Sequence, residues 1–285
     1  MFPAAARPIE DLALHQTYPL SLAYLTVFGC PPVEHVRAAA AAGYDAAGLR
    51  LIAPHGLELA HPIVGDKALI RRIKDVAADL GVGFLDGEVF TLLPQTDVET
   101  WLPVIETAAE FGMRLMQIAS EDADQARAAD NLGRIADVAN RHGIEMAIEF
   151  MRWRSAATVE GAAALARASR RDNVGILLDT LHLSRSGGSP VSVAALPREL
   201  MLYLQLCDAP AAQPASDADA IAEARGARLL PGEGDLWLKE LMAQLPRDIW
   251  ISVETPHASV AGLSFAEKAT RGMQATRAFL DSLAT

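Results

Sequence analysis

The chain has 285 residues, 51% hydrophobic and 21% charged, with a formal net charge of −11. That length buries one barrel-sized core or two smaller ones. The acidic balance offers no basic stripe for DNA or RNA, no run reaches the ~18 apolar residues of a membrane span, and two cysteines, Cys30 and Cys207, with no CxxC are no disulfide framework.

Residues 1–18 lack the basic start and long apolar stretch of a secretory leader and read as an N-terminal extension of a cytoplasmic protein. Eight strands are expected beyond them, near 22–26, 46–51, 82–85, 115–118, 145–148, 175–178, 202–206 and 249–253. Helical patterns separate most of these strands. Asp66 precedes "KALIRRIKDVAADLG", which is apolar at helical spacing, and Thr96 with Glu99 and Ser264 with Glu267 read as capping boxes. Gly43, Gly81, Gly112 and Gly143 each close a helical run just before an apolar strand, as residues of left-handed conformation do.

Strands alternating with helices imply a parallel sheet, and near-continuous apolar strands imply a sheet covered on both faces. Eight such units predict an α/β fold, a single (β/α)8 TIM barrel over residues 1–285. A doubly wound open sheet is the alternative, but the first βα turn, "VFGCPPVEH", is no GxGxxG. Residues 208–235, rich in Ala, Pro, Asp and Gly, follow the seventh strand and read as an irregular active-site loop.

Polar residues gather at the strand ends: Arg50, Glu88, Ser120, Glu121, Glu149, Asp179, Gln205, Asp208 and Glu254. Barrel enzymes build their sites at this face. Several carboxylates converging there repel one another unless a cation is present. Glu149, Asp179 and Glu254 with the amide oxygen of Gln205 form an all-oxygen set, which favours one hard divalent ion, Mn2+ or Mg2+, over Zn2+.

The ordered set "AIEF", "LLDTLH", "LQLCD", "LPGEGD" and "SVET" resembles the xylose isomerase-like barrel superfamily, which includes sugar phosphate isomerases and epimerases, sugar 3-epimerases, inosose dehydratases and endonuclease IV. The resemblance runs over most of the chain and is strongest from Glu145 to Glu254. It implies that Glu149, Asp179 and Glu254 ligate a divalent metal, that Gln205 stands where most members carry a His, and that His182 contacts substrate. It also implies that Glu149 and Glu254 move protons next to a carbonyl. Gln at that position is similar to a subset of bacterial 3-dehydroshikimate dehydratases. Ser155 stands where sugar 3-epimerases commonly carry a second Glu, and seven histidines do not supply the zinc cluster of endonuclease IV.

Arg50, Arg152, Arg154 and Arg185 lie at or just after strand ends and, with Glu88 and Asp208, are candidate substrate contacts. So many guanidinium groups favour an anionic hydroxy-ketone. The lysines, Lys67, Lys74, Lys239 and Lys268, all fall in expected helices, which argues against a Schiff base. "RSGGSP" from 185 reads as a flexible loop or a backbone phosphate cradle. His55, His61, His257 and Trp153 are candidates for the mouth of the site. The expected activity is a divalent-metal-dependent isomerase or epimerase acting through an enediolate. The alternatives are a dehydratase acting on an anionic hydroxy-keto acid and a non-catalytic metal- or sugar-binding barrel. No nucleic acid or membrane partner is expected, and pairing of copies through the helices is an open possibility.

Overall fold

The computed structural model describes residues 18–54 and 56–283. Residues 1–17, which make up nearly all of the expected extension, lie outside it, as does His55. Eight parallel strands close into one barrel in sequence order. They are β1 Leu20–Leu22, β2 Ala46–Arg50, β3 Gly83–Leu92, β4 Leu115–Ser120, β5 Glu145–Glu149, β6 Val174–Asp179, β7 Met201–Leu206 and β8 Trp250–Val253. β1 pairs with both β2 and β8, so no strand edge is left open.

The helices are α1 Pro32–Ala42, α2 Lys67–Leu80, α3 Leu102–Phe111, α4 Gln125–Asn140, α5 Val159–Ser169, α6 Thr180–Arg185, α7 Pro190–Ala194, α8 Asp217–Gly226, α9 Leu238–Met242 and α10 Phe265–Asp281. Their apolar faces pack on the outer side of the strands, where Ile70, Ile105, Leu132, Ile135 and Met273 are buried in one continuous core. Among the described residues, no helix is long and apolar enough to cross a membrane.

The local signals hold in most places. The Asp66 carboxylate accepts from the Ala68 and Leu69 amides, and Ser264 with Glu267 forms the full capping box. Gly43, Gly81 and Gly112 take the left-handed conformation at the ends of α1, α2 and α3. Gly143 is also left-handed but lies beyond the end of α4, after an extra turn.

Four expectations change. The first strand ends at Leu22, because Ala23 N–H and Thr26 Oγ1 both donate to the Val253 carbonyl and draw the chain into a 3-10 turn over Tyr24–Val27. Thr96 is no helix cap: its hydroxyl accepts from Leu93 N–H, and Asp97 caps the next turn. β3 runs on to Leu92, so Glu88 lies inside it rather than after it. The segment 208–235 is not irregular throughout, since Ser216 caps α8 within it.

Candidate active site

Strand register places the polar groups. Arg50 pairs with Glu88, and Asp179 pairs with Gln205. Glu149 pairs with Leu177, so Asp179 stands two residues further along β6 on the same face as Leu177. Gln205 pairs with Ser252, and Glu254 follows two residues on. The parallel stagger thus delivers Glu88, Glu149, Asp179, Gln205 and Glu254 to one end of the barrel, all buried.

The geometry of this cluster is specific. Asp179 Oδ1 accepts from His182 N–H at 2.9 Å, which starts α6 and fixes the His182 ring beside the cluster. His182 Nε2 lies 3.4 Å from Glu149 Oε1, and Trp153 meets the imidazole edge-on at 5.3 Å. One oxygen or nitrogen from each of Glu149, Asp179 and His182 lies within 4.8 Å of the others, close enough to share a metal ion. Gln205 Nε2 donates to Glu254 Oε1 at 3.3 Å, and Gln205 Oε1 is buried without a partner. A buried amide oxygen without a donor costs roughly 1–3 kcal/mol unless something satisfies it.

Arg228 was not anticipated from the sequence. Its guanidinium is buried, with Nη1 2.6 Å from Asp179 Oδ2 and Nη2 2.8 Å from Glu254 Oε2. Its Nε donates to Ala224 O at 2.9 Å, which anchors it to the end of α8. Residues 208–235 therefore do reach the site, through this one side chain. The signal available was its place just before "LLPGEGD", although position alone does not distinguish it from Arg225.

On the other side of the cluster, Arg50 pairs with Glu88 at 2.6 Å, stacks over Tyr24 at 4.7 Å and keeps its buried Nε without a partner. Glu88 Oε1 accepts from Tyr24 N–H at 3.2 Å. Asp86, two residues before Glu88, accepts from the Tyr203 hydroxyl at 3.0 Å and leaves Oδ1 unpartnered. It too escaped the sequence reading, although a lone Asp inside the apolar "GFLDGEVF" was a visible sign.

Carboxylates outnumber fixed cations here. Burial, then Glu88, pushes Asp86 up to about 8, against the opposing hydrogen bond from Tyr203. Burial also raises Glu254 well above the ordinary range, and Asp179, Glu88 and Glu149 add to this against the opposing Arg228. Burial alone would raise Asp179, but Arg228 and His182 outweigh it and hold the group below its usual value. Asp86 and Glu254 therefore take up protons more readily than isolated carboxyls do, and Asp179 less readily. Glu149, Asp179 and His182 lie close enough to share a divalent ion; Glu254 falls outside that group, beside Gln205, whose buried Oε1 is free to accept.

The remaining candidates have other engagements. Arg152 holds Asp217 at 2.9 Å, and Arg185 holds Glu223 with two bonds of 2.7 Å, so both tie α8 to the barrel. Arg154 pairs with Glu121. The Asp208 carboxylate accepts from the Ala209, Leu236 and Gly232 amides and shapes its own loop instead of facing the cluster. "RSGGSP" is no phosphate cradle, because the amides of Ser186, Gly187 and Gly188 donate back to the carbonyls of α6. His61 bonds the Gly29 carbonyl at 3.3 Å, and burial raises the Cys207 thiol to about 11, so it is no ready nucleophile.

A closed parallel barrel with a buried carboxylate cluster at one end places the protein among the (β/α)8 barrels. The profile of one such family, the xylose isomerase-like TIM barrels, matches residues 36–283, and the chain belongs to it. The chain is 28% identical over 237 residues to a 3-dehydroshikimate dehydratase of Pseudomonas aeruginosa and 23% identical over 239 residues to one of Pseudomonas putida. These matches cover 78% and 79% of this chain, which spans about a third of the length of these relatives, 35% in each case.

Among solved structures, the IOLI protein with a bound zinc atom superposes with a TM-score of 0.74 at 17% identity, covering 93% of this chain and 98% of that one. D-allulose 3-epimerase from Methylomonas sp. superposes with a TM-score of 0.67 at 15% identity, covering 94% and 100%. At these identities the likeness is one of fold.

Proposed function

We propose that the protein removes a proton next to the carbonyl of a small anionic hydroxy-ketone, with a divalent cation held by Glu149, Asp179, Gln205 and Glu254, and that loss of water follows. The observation that carries the cation is the unpartnered, buried Gln205 Oε1 set among carboxylates. When bound, such an ion supplies polarisation of a substrate carbonyl. The two Pseudomonas relatives, both dehydratases, support dehydration over isomerisation.

The chain's own residues have separable tasks in this reaction. Glu149 or Glu254 takes the proton from the carbon beside the carbonyl, and the electron pair left behind forms a new carbon–carbon double bond. The β-hydroxyl leaves with a proton from His182 and departs as water, so no oxidant or reductant is needed. Trp153 and Asp179 fix the His182 ring. The spare, buried Nε of Arg50 suits an anionic oxygen of the substrate, with Glu88 orienting the guanidinium. Burial of the cluster strengthens each of these contacts.

Isomerisation or epimerisation is the second reading. It is favoured by Glu149 and Glu254 approaching one cluster from β5 and from the end of β8, which allows one to take a proton and the other to return it. Incubating the Mn2+-loaded protein with 3-dehydroshikimate and with a panel of ketoses and their phosphates separates the readings. Growth of an aromatic ultraviolet absorption supports dehydration, and interconversion of ketoses supports the second reading. No turnover of any member, or turnover unchanged by chelation, overturns the proposal.

A further inference from the structure

A cavity of about 220 Å³ lies between the loops after β7 and β8 and the start of α10. Glu233, Thr255, His257, Ser259, Lys268 and Arg271 are in its wall. Lys268 and Arg271 are three residues apart on α10 and so share a helix face. Among the described residues, neither has a carboxylate within ion-pair distance. Lys268 stands over the Phe265 ring at 5.5 Å, and Arg271 acts through space on Glu267, one turn earlier on α10.

His257 adds a directed donor. Its Nδ1 accepts from Ser259 N–H at 3.1 Å, so the proton of the neutral ring sits on Nε2. Ser259 Oγ also lies 2.7 Å from Nδ1. Two cations and an imidazole N–H thus share a cavity with one carboxylate, Glu233, in a chain whose net charge is −11. Positive charge gathered around a concave space, without a close ion pair, selects small anions.

The cavity is separate from the carboxylate cluster but mechanically close to it. Arg228 N–H donates to Pro256 O at 3.1 Å, and Ala227 pairs with His257 in an antiparallel bridge. Arg228 is thus one of the cavity's lining residues, and its guanidinium is held by Asp179 and Glu254. That charge is spent on the cluster and does not count toward the cavity.

We propose that this cavity is a binding site for a phosphate-type dianion, gripped by Lys268, Arg271 and His257. The ligand is either free phosphate or the phosphate group of a small monoester. The inference does not depend on the reaction assigned above.

The test is titration calorimetry at low salt with inorganic phosphate and with glycerol phosphate. Wild-type protein is expected to bind at least one of them saturably, with affinity falling as ionic strength rises. Lys268→Gln with Arg271→Gln is expected to weaken binding by about tenfold or more, and Glu233→Gln to tighten it, since like charge is removed from the wall. The tightening is a change that damage to the fold does not mimic. Stronger binding of glycerol phosphate than of phosphate assigns the site to a monoester, and the reverse assigns it to the free ion. The proposal is overturned if neither anion binds or if the double variant binds as well as wild type. It is also overturned if Glu149→Gln abolishes binding, which would place the anion at the cluster instead.

Discussion

Arg228 and Asp179 form a buried ion pair, Nη1 to Oδ2 at 2.6 Å, and the same guanidinium reaches Glu254 at 2.8 Å. One side chain from the β7 loop thereby shares its single charge between two of the proposed metal ligands. Removing one partner of a buried pair leaves charge stranded in the interior, at a cost of about 3–5 kcal/mol. Arg228→Gln is expected to lose stability on this scale in chelator. Added Mn2+ should recover part of the loss, because it supplies the missing positive charge. Urea denaturation with and without the ion measures both. An identical loss under the two conditions would separate Arg228 from the cation.

Gln205→Ala removes the unpartnered amide oxygen. Cation affinity is expected to fall by about tenfold or more, corresponding to roughly 1.4 kcal/mol. Stability in chelator should change little, since among the described residues the only side-chain bond lost is the 3.3 Å contact to Glu254. Calorimetry of Mn2+ binding and a thermal melt give the two numbers. Unchanged affinity with a lowered melting temperature would return Gln205 to a packing role.

Chelation should abolish turnover and Mn2+ or Mg2+ should restore it. Glu149→Gln should remain inactive when loaded, because it has lost a carboxylate needed both for the ion and for proton transfer. His182→Gln separates the steps: solvent-deuterium exchange next to the carbonyl should survive while loss of water slows. Loss of both together would remove His182 from the leaving-group step.

Asp86 gives a pH signature. Burial raises it to about 8, whereas an unfolded Asp titrates near 3.9. Between these values the folded state holds the extra proton, so this group's contribution is complete below about pH 4 and is lost as pH rises to about 8. The slope approaches about 1.4 kcal/mol per pH unit inside that window. Asp86→Asn should flatten it, gaining on wild type at pH 8 relative to pH 5. Equal pH dependence in the two proteins would contradict a neutral Asp86.

Gly48 sits against the same carboxyl, and a Cβ there would stand 2.6 Å from Asp86 Oδ1. Gly48→Ala should destabilise by about 1–3 kcal/mol, as overpacking does. Combining it with Asp86→Ala should cost less than the sum of the two single changes. Strict additivity in a double-mutant cycle would show that the two residues do not share the space.

The eight-stranded barrel was legible because its signals are local: glycine-closed helices, capping carboxylates and apolar runs of strand length. The strand-end residues Glu149, Asp179, Gln205 and Glu254 were legible for the same reason, since parallel register converts sequence position into spatial position. Arg228 was not, because it reaches the cluster from a long connection whose path depends on tertiary contacts. The arginines at 152, 154 and 185 show the converse. Their positions suited a substrate anion, but nearby Asp217, Glu121 and Glu223 engage them, and in an acidic protein such partners are plentiful. Asp86 was hidden by its setting, because it comes at the middle of β3, before Glu88, where the strand was expected to end in polar residues.

Pairing of β1 with β8 has a consequence for biosynthesis. The ribosome delivers β8 last, and until it emerges the nascent sheet exposes two unpaired edges, on β1 and β7, each able to join a neighbouring chain. Glu254 directly follows that last strand, so a truncated or stalled chain is both adhesive and chemically incomplete. Closure of the sheet and assembly of the carboxylate cluster are a single event in the life of the molecule.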